Sequence, residues 1–199
     1  MNPLDFPEFP FSSPLAKAII DPERVRADLG EGTTAPEVFT QLRTLFQLLS
    51  SIMSERIEDG DSLEPESLIR WSTYVLEGLL TDLRRLAKLG DKDFVTEGLL
   101  VPAIARGLAS SRFTADQALA LTIIARKVDV KAADLSSAFT GSAATRSQDI
   151  RKLLDRGVIE PVAKGKRSYR LRLASELTPL LVRELDQLGF LPRILRDSE

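Results

Sequence analysis

The stretch from Ser142 to Leu173, SAATRSQDIRKLLDRGVIEPVAKGKRSYRLRL, changes its hydrophobic period part-way along, and few small folds accommodate that switch. In its first half Ile150, Leu153, Leu154 and Val158 fall at i, i+3, i+4 and i+8, the stripe of an amphipathic helix. Gly157 lies where such a helix ends in a left-handed residue. In the second half Tyr169, Leu171 and Leu173 alternate with Ser168, Arg170 and Arg172, which is strand spacing. Ala163-Lys164-Gly165-Lys166-Arg167 separates the candidate strands as a polar turn. Helix, glycine stop and basic hairpin together predict the recognition helix and wing of a winged helix-turn-helix.

The charge of the stretch sharpens this reading. It holds nine basic and three acidic residues, a net of +6, in a chain whose formal net charge is −2; the remainder therefore carries −8. A basic module on an acidic body suits a polyanion, and DNA is the commonest. The alternative is a solvated helix and hairpin whose charges only keep the protein soluble. With Ile150 set at the centre of the buried face, a step of 100° per residue turns Gln148 and Lys152 outward, flanked by Thr145 and Arg151. Asp155 shares that side one turn later. Gln148 can pair bidentately with adenine and Arg151 with guanine, while Thr145 suits a phosphate or a thymine methyl. Lys164, Lys166 and Arg167 at the wing tip, with Arg170 behind them, are expected to meet phosphates or the minor groove.

Composition narrows the chemistry. Among 199 residues there is no cysteine and no histidine. Disulfides, thiolate metal sites and cysteine nucleophiles are excluded, as are histidine ligands, histidine bases and Ser-His-Asp catalysis. Neither a phosphate-cradling glycine loop nor a dinucleotide fingerprint occurs. Acidic pairs such as Asp59 with Asp61 or Glu64 with Glu66 fit a helix start better than a cation site. No metal, cofactor or catalytic residue is expected. No apolar run approaches the length of a membrane span, and no basic, then apolar leader opens the sequence, so a cytoplasmic protein without membrane contact is expected.

Along the chain, Met1 to Pro22 holds five of the eleven prolines, with Phe6, Phe9 and Phe11 between them. The prolines predict an extended arm that packs on the body or a partner, or else a disordered leader. Asp21-Pro22 reads as a helix start. A helix is predicted from Pro36 to Glu58, with Val38, Leu42, Leu45, Leu49, Ile52 and Met53 as its stripe, ended by the acidic turn Glu58 to Ser62. The next, Pro65 to Leu89, carries Leu68, Trp71, Val75, Leu79, Leu83 and Leu86, with Gly90 as C-terminal cap. Its length allows a dimer seam as well as burial within one chain. A third helix, Phe94 to Leu108, is expected to kink near Leu99 because of Pro102. Ser110-Ser111-Arg112 marks a boundary. Beyond it Thr114 to Gln117 predicts a capping box, Asp129 to Phe139 a short second helix, and Thr178-Pro179 the start of a last helix closed by Gly189-Phe190, with Pro192 barring continuation.

Four of these segments resemble the C-terminal region of one branch of the Fic-family proteins, AMP-transferases with an appended winged helix. They are ESLIRWSTYVLEGLL (Glu66 to Leu80), LLVPAIARGL (Leu99 to Leu108), TRSQDIRKLLDRGVIEPV (Thr145 to Val162) and LVRELDQLGFLP (Leu181 to Pro192). The family's catalytic loop, H-P-F-x-x-G-N-G-R, has no counterpart here, because the chain has no histidine. The resemblance therefore implies a helical connector plus winged helix without the transferase core, and none of the family's catalytic residues carries over.

The expected architecture is mainly α: a helical domain over residues 1–110 with a Pro-rich arm, then a winged helix-turn-helix over 111–199 with one small β-hairpin. The expected function is non-catalytic binding of double-stranded DNA in transcriptional regulation, with a homodimer or a protein partner as further associations. The competing expectation is a protein-interaction module built on a winged helix, including a non-catalytic regulator of a Fic-type enzyme.

Overall fold

A computed structural model of the protein describes residues 10, 12–28, 32–54, 65–163 and 167–191. The arm residues Phe6, Phe9 and Phe11, the acidic residues Asp59, Asp61 and Glu64, the turn residues Lys164 and Lys166, and Pro192 lie outside the described residues, as do the side chains of Leu49, Ile52, Met53, Glu66, Leu68 and Trp71.

Helix α1 (Pro14–Asp28) begins earlier than its sequence predicts. Ser13, not Asp21, is the cap: its hydroxyl accepts from the Ala16 N–H at 3.1 Å, and Pro14 takes the first helical position. Pro22 lies inside the helix and is buried. Loss of one backbone bond is offset because Leu15, Ala16 and Ala18 bury an apolar face as α1 packs along α3 (Pro65–Gly90). Helix α2 (Pro36–Ser54) buries Leu42 and crosses the end of α3, where the Thr34 N–H donates to the Gly90 carbonyl at 2.9 Å. A Cβ on Gly32 would meet that same oxygen at 2.9 Å, so a glycine is required at the crossing. Gly90 remains within α3 rather than capping it in a left-handed turn.

Ahead of Pro102, around Leu99 where a kink is expected, the third helix leaves α geometry. Residues Phe94–Leu100 form a π-helical stretch that runs into α4 (Val101–Ala109), and the Val101 N–H donates to the Thr96 carbonyl five residues back. The proline has no N–H to give and crowds the carbonyl four residues earlier; the widened turn absorbs both effects.

Helix α5 (Ala115–Lys127) starts in a complete capping box, with Thr114 and Gln117 bonding reciprocally at 3.2 Å. The expected second helix, Asp129 to Phe139, is divided. Val130–Lys131 forms a short strand, β1, and only Asp134–Ala138 is helical, as a 3₁₀ turn. Then come α6 (Ala143–Asp155), β2 (Ile159–Pro161), β3 (Ser168–Leu171) and α7 (Thr178–Gln187). The hairpin thus becomes a three-stranded antiparallel sheet in the order β1-β3-β2, with Val130 opposite Tyr169 and Ile159 opposite Leu171. The molecule is mainly α with one small sheet, and its element order after residue 113 is that of a winged helix-turn-helix.

The β1 strand exists because of a backbone device at Val128. This residue has φ 69° and ψ −62°, and the Asp129 N–H donates to the Lys127 carbonyl at 2.9 Å. That is a classic γ-turn, a strained conformation for a β-branched residue. It ends α5 abruptly and turns the chain into pairing with β3. One hydrophobic cluster then joins Leu42, Leu89 and Leu99 with Leu121, Leu153, Leu181 and Phe190. At the Ser110–Arg112 turn, Gly107 lies under the Phe113 ring, which a Cβ there would meet at 2.5 Å.

Candidate nucleic-acid interface

Helix α6 is fixed at both ends. At its start the Ser142 hydroxyl accepts from the Thr145 N–H at 3.3 Å. The preceding turn is held by Asp116, whose carboxylate accepts from the Thr140 N–H and hydroxyl, both at 3.0 Å. At its end Gly157 takes φ 66°, the Val158 N–H donates to Leu153 O at 3.0 Å and the Gly157 N–H to Leu154 O at 2.8 Å. These two bonds form a Schellman motif, as the glycine in the sequence implied. Between the ends Ile150 and Leu153 are buried.

The opposite face is open. Thr145, Gln148, Arg151 and Lys152 are all exposed, as the helical count required, with Asp155 one turn on. Among the described residues Gln148 and Arg151 have no hydrogen-bond or ion-pair partner, so their full donor sets face solvent. Thr145 shares a hydrogen bond with the Ser142 hydroxyl at 3.1 Å, and Lys152 pairs with Asp149 at 3.0 Å along the helix.

Two basic residues of the stretch are turned inward instead. Arg156, at the end of α6, pairs with Glu176 and donates to the Arg112 carbonyl at 2.8 Å, with its guanidinium 5.2 Å from the centre of the Phe113 ring. That hydrogen-bonded pair holds the Glu176 carboxyl below, and the Arg156 guanidinium above, its ordinary pKa. Arg170 does not join the exposed set. Its side chain is 19% exposed, donates to the Val162 carbonyl at 3.2 Å, and lies 3.8 Å from Glu37 of α2 and 3.7 Å from Asp129. Together with the Leu173 N–H, which donates to Gln41 Oε1 at 2.7 Å, it ties β3 and the residues just after it to α2. Strand alternation gave no sign of this, because both partners lie far back in the sequence.

Arg167 is exposed just before β3, at the turn end of the hairpin, and its carbonyl accepts from the Ala132 N–H at 2.9 Å, which extends the pairing of β3 with β1. Lys164 and Lys166 lie outside the described residues. Between the hairpin, the 3₁₀ turn and the first half of α6 runs an open cleft of about 570 Å³. Lys131, Arg146 and Arg167 line it, and among the described residues no carboxylate does. Lys131 was not singled out by sequence reasoning, since it was assigned to a helix; Arg146 entered only the charge count.

Among the described residues, no helix is long and apolar enough to cross a membrane, and no three carboxylates are grouped to hold a metal ion. Neither the protein-family models nor the curated proteins compared with this chain give a match.

Proposed function

We propose that the protein is a non-catalytic, winged-helix DNA-binding protein that acts in transcriptional regulation. The observation that carries this reading is the outer face of α6: Gln148 and Arg151 are exposed and unpartnered among the described residues, on a helix held rigidly at both ends. Unpaired donors on a helix capped at both ends suit base edges in the major groove, where glutamine reads adenine and arginine reads guanine. Thr145 and Lys152 lie beside them. Arg167 and the turn lysines Lys164 and Lys166 supply backbone contacts.

The exposed apolar residues Tyr74, Val75 and Leu79 on α3, at 67%, 41% and 49% exposure, extend the proposal to a homodimer joined through that helix. The competing reading, a winged helix that grips a protein partner, draws support from the ties of β3 to Glu37 and Gln41. Those ties act at the base of the hairpin and leave the outer face of α6 uncovered, so the DNA reading is preferred.

Binding-site selection from random duplex, followed by titration of the selected site, tests it. Gln148→Ala or Arg151→Ala is expected to cost about 1–3 kcal/mol on that site and to relax base preference. Absence of salt-dependent binding to any duplex at about 50 mM salt would end the DNA reading in favour of a protein partner.

A further inference from the structure

The open cleft of about 570 Å³ lies against the inner side of α6. Arg146 and Ser147, which line it, fall within about 60° of Ile150 at 100° per residue, on the far side of the helix from Gln148 and Lys152. A molecule held in the cleft leaves the outer face of α6 uncovered. The cleft can therefore be occupied whether or not that outer face meets DNA.

Two kinds of surface meet there. Lys131 of β1 and Arg167, just before β3, stand on the sheet side, where the Ala132 N–H bonds the Arg167 carbonyl; Arg146 stands on the helix side. Among the described residues none of the three has a carboxylate partner, whereas Lys152, Arg156 and Arg170 are all paired. Arg146 is half-buried and makes only a long contact, 3.4 Å, to the Ser136 carbonyl. The second surface is apolar: Phe139 and Ile150, with Ala132 and Ala143 beside them.

Each surface selects against a ligand that answers only the other. A bare inorganic anion keeps its hydration and gains nothing from Phe139 and Ile150. A neutral apolar molecule leaves the cations without an acceptor. A carboxylate on an apolar body meets both, and the volume lies within the range of small-molecule sites, about 300–1,000 Å³. We propose that the cleft binds a small organic carboxylate with an aromatic or aliphatic body. The carboxylate sits between Arg146 and the cations of the sheet side, and the body covers Phe139 and Ile150.

The test is a titration of the intact, isotope-labelled chain, without DNA, followed by its amide resonances. The probes are naphthoate, octanoate, naphthalenemethanol and inorganic phosphate, at neutral pH and matched ionic strength. Saturable shifts confined to the cleft, at Ala132, Ser136, Ser147 and Ser168, are expected with at least one carboxylate. The tighter of the two identifies the body as aromatic or aliphatic. The alcohol and phosphate should each bind at least about tenfold more weakly than that carboxylate. Arg146→Ala should weaken the carboxylate about tenfold. Arg24→Ala combined with Arg183→Ala, on α1 and α7, should leave it unchanged. Circular dichroism verifies each fold, and Lys131→Ala, at an exposed position, repeats the test should Arg146→Ala unfold. The alcohol binding as tightly as naphthoate would make the cleft merely apolar, and phosphate binding as tightly as the carboxylates would make it a bare-anion site. Either result overturns the proposal, as do shifts that never saturate or a carboxylate affinity untouched in the cleft variant. None of these outcomes bears on base preference in Gln148→Ala, so this site and the DNA reading can fail separately.

Discussion

Arg156 and Glu176 lie twenty residues apart in sequence and form a two-pronged ion pair that fastens the end of α6 to the turn before α7. The pair explains why one of the nine basic residues of the stretch is unavailable to a ligand. It also makes a pH prediction. The hydrogen bonds from Arg156 hold the Glu176 carboxyl below its ordinary value in the folded protein. A depressed carboxylate contributes stability that is complete above its unfolded pKa and is lost as pH falls through the folded one. Glu176→Gln should therefore lower the melting temperature at neutral pH and much less in acid, flattening the acid limb of the stability profile. Equal losses at both pH values would show that the pair contributes no pH-dependent stability. Glu97, depressed by its hydrogen bond with Arg126, is expected to matter less, because both side chains are exposed and water and salt screen that pair.

Val128 supplies a test of backbone strain. At φ 69° and ψ −62° a side chain is disfavoured, and glycine is not. Val128→Ala keeps the strain and loses packing; Val128→Gly loses the packing and relieves the strain. The glycine variant should be the more stable of the two by about 1 kcal/mol, the reverse of the order seen within helices. Denaturant unfolding of both variants decides it, and alanine above glycine would mean that the γ-turn does not persist in solution.

The exposed α3 face predicts assembly. Leu79→Asp should convert a dimer into a monomer of unchanged helicity, read by solution mass and circular dichroism. In the dimer the DNA site should consist of two half-sites one helical turn, about 34–36 Å, apart or a multiple of it. An unmutated protein that is monomeric at tens of micromolar excludes this seam as an interface.

Much of the candidate interface is legible in one dimension because its determinants are local. The Ile150–Leu153 stripe, the left-handed glycines at 157 and 189 and the Thr114–Gln117 capping box each depend on residues within about a turn of one another. The hairpin alternation is local in the same way: Leu171 and Leu173 are buried, with exposed Arg172 between them. The helical count around Ile150 needs only the rise and twist of a helix, and it turned Gln148 and Arg151 outward correctly.

What the linear reading misplaced depends on partners far along the chain. Pro22 looks like a helix start, yet α1 runs through it because packing on α3, some sixty residues away in sequence, stabilises that face by more than one hydrogen bond is worth. The β1 strand looks like helix until β3 arrives to pair with it. Arg170 looks like a DNA contact until Glu37 and Asp129 draw it inward, and Lys131 joins Arg146 only across a cleft that three elements enclose. Sequence alone determined the ends and the apolar stripe of α6 and which of its sides faces out, because hydrogen bonds and periodicity act over a few residues. Tertiary structure alone decided which cations remain free, because a charge is neutralised by whatever the fold brings within a few ångströms of it, however distant in the chain.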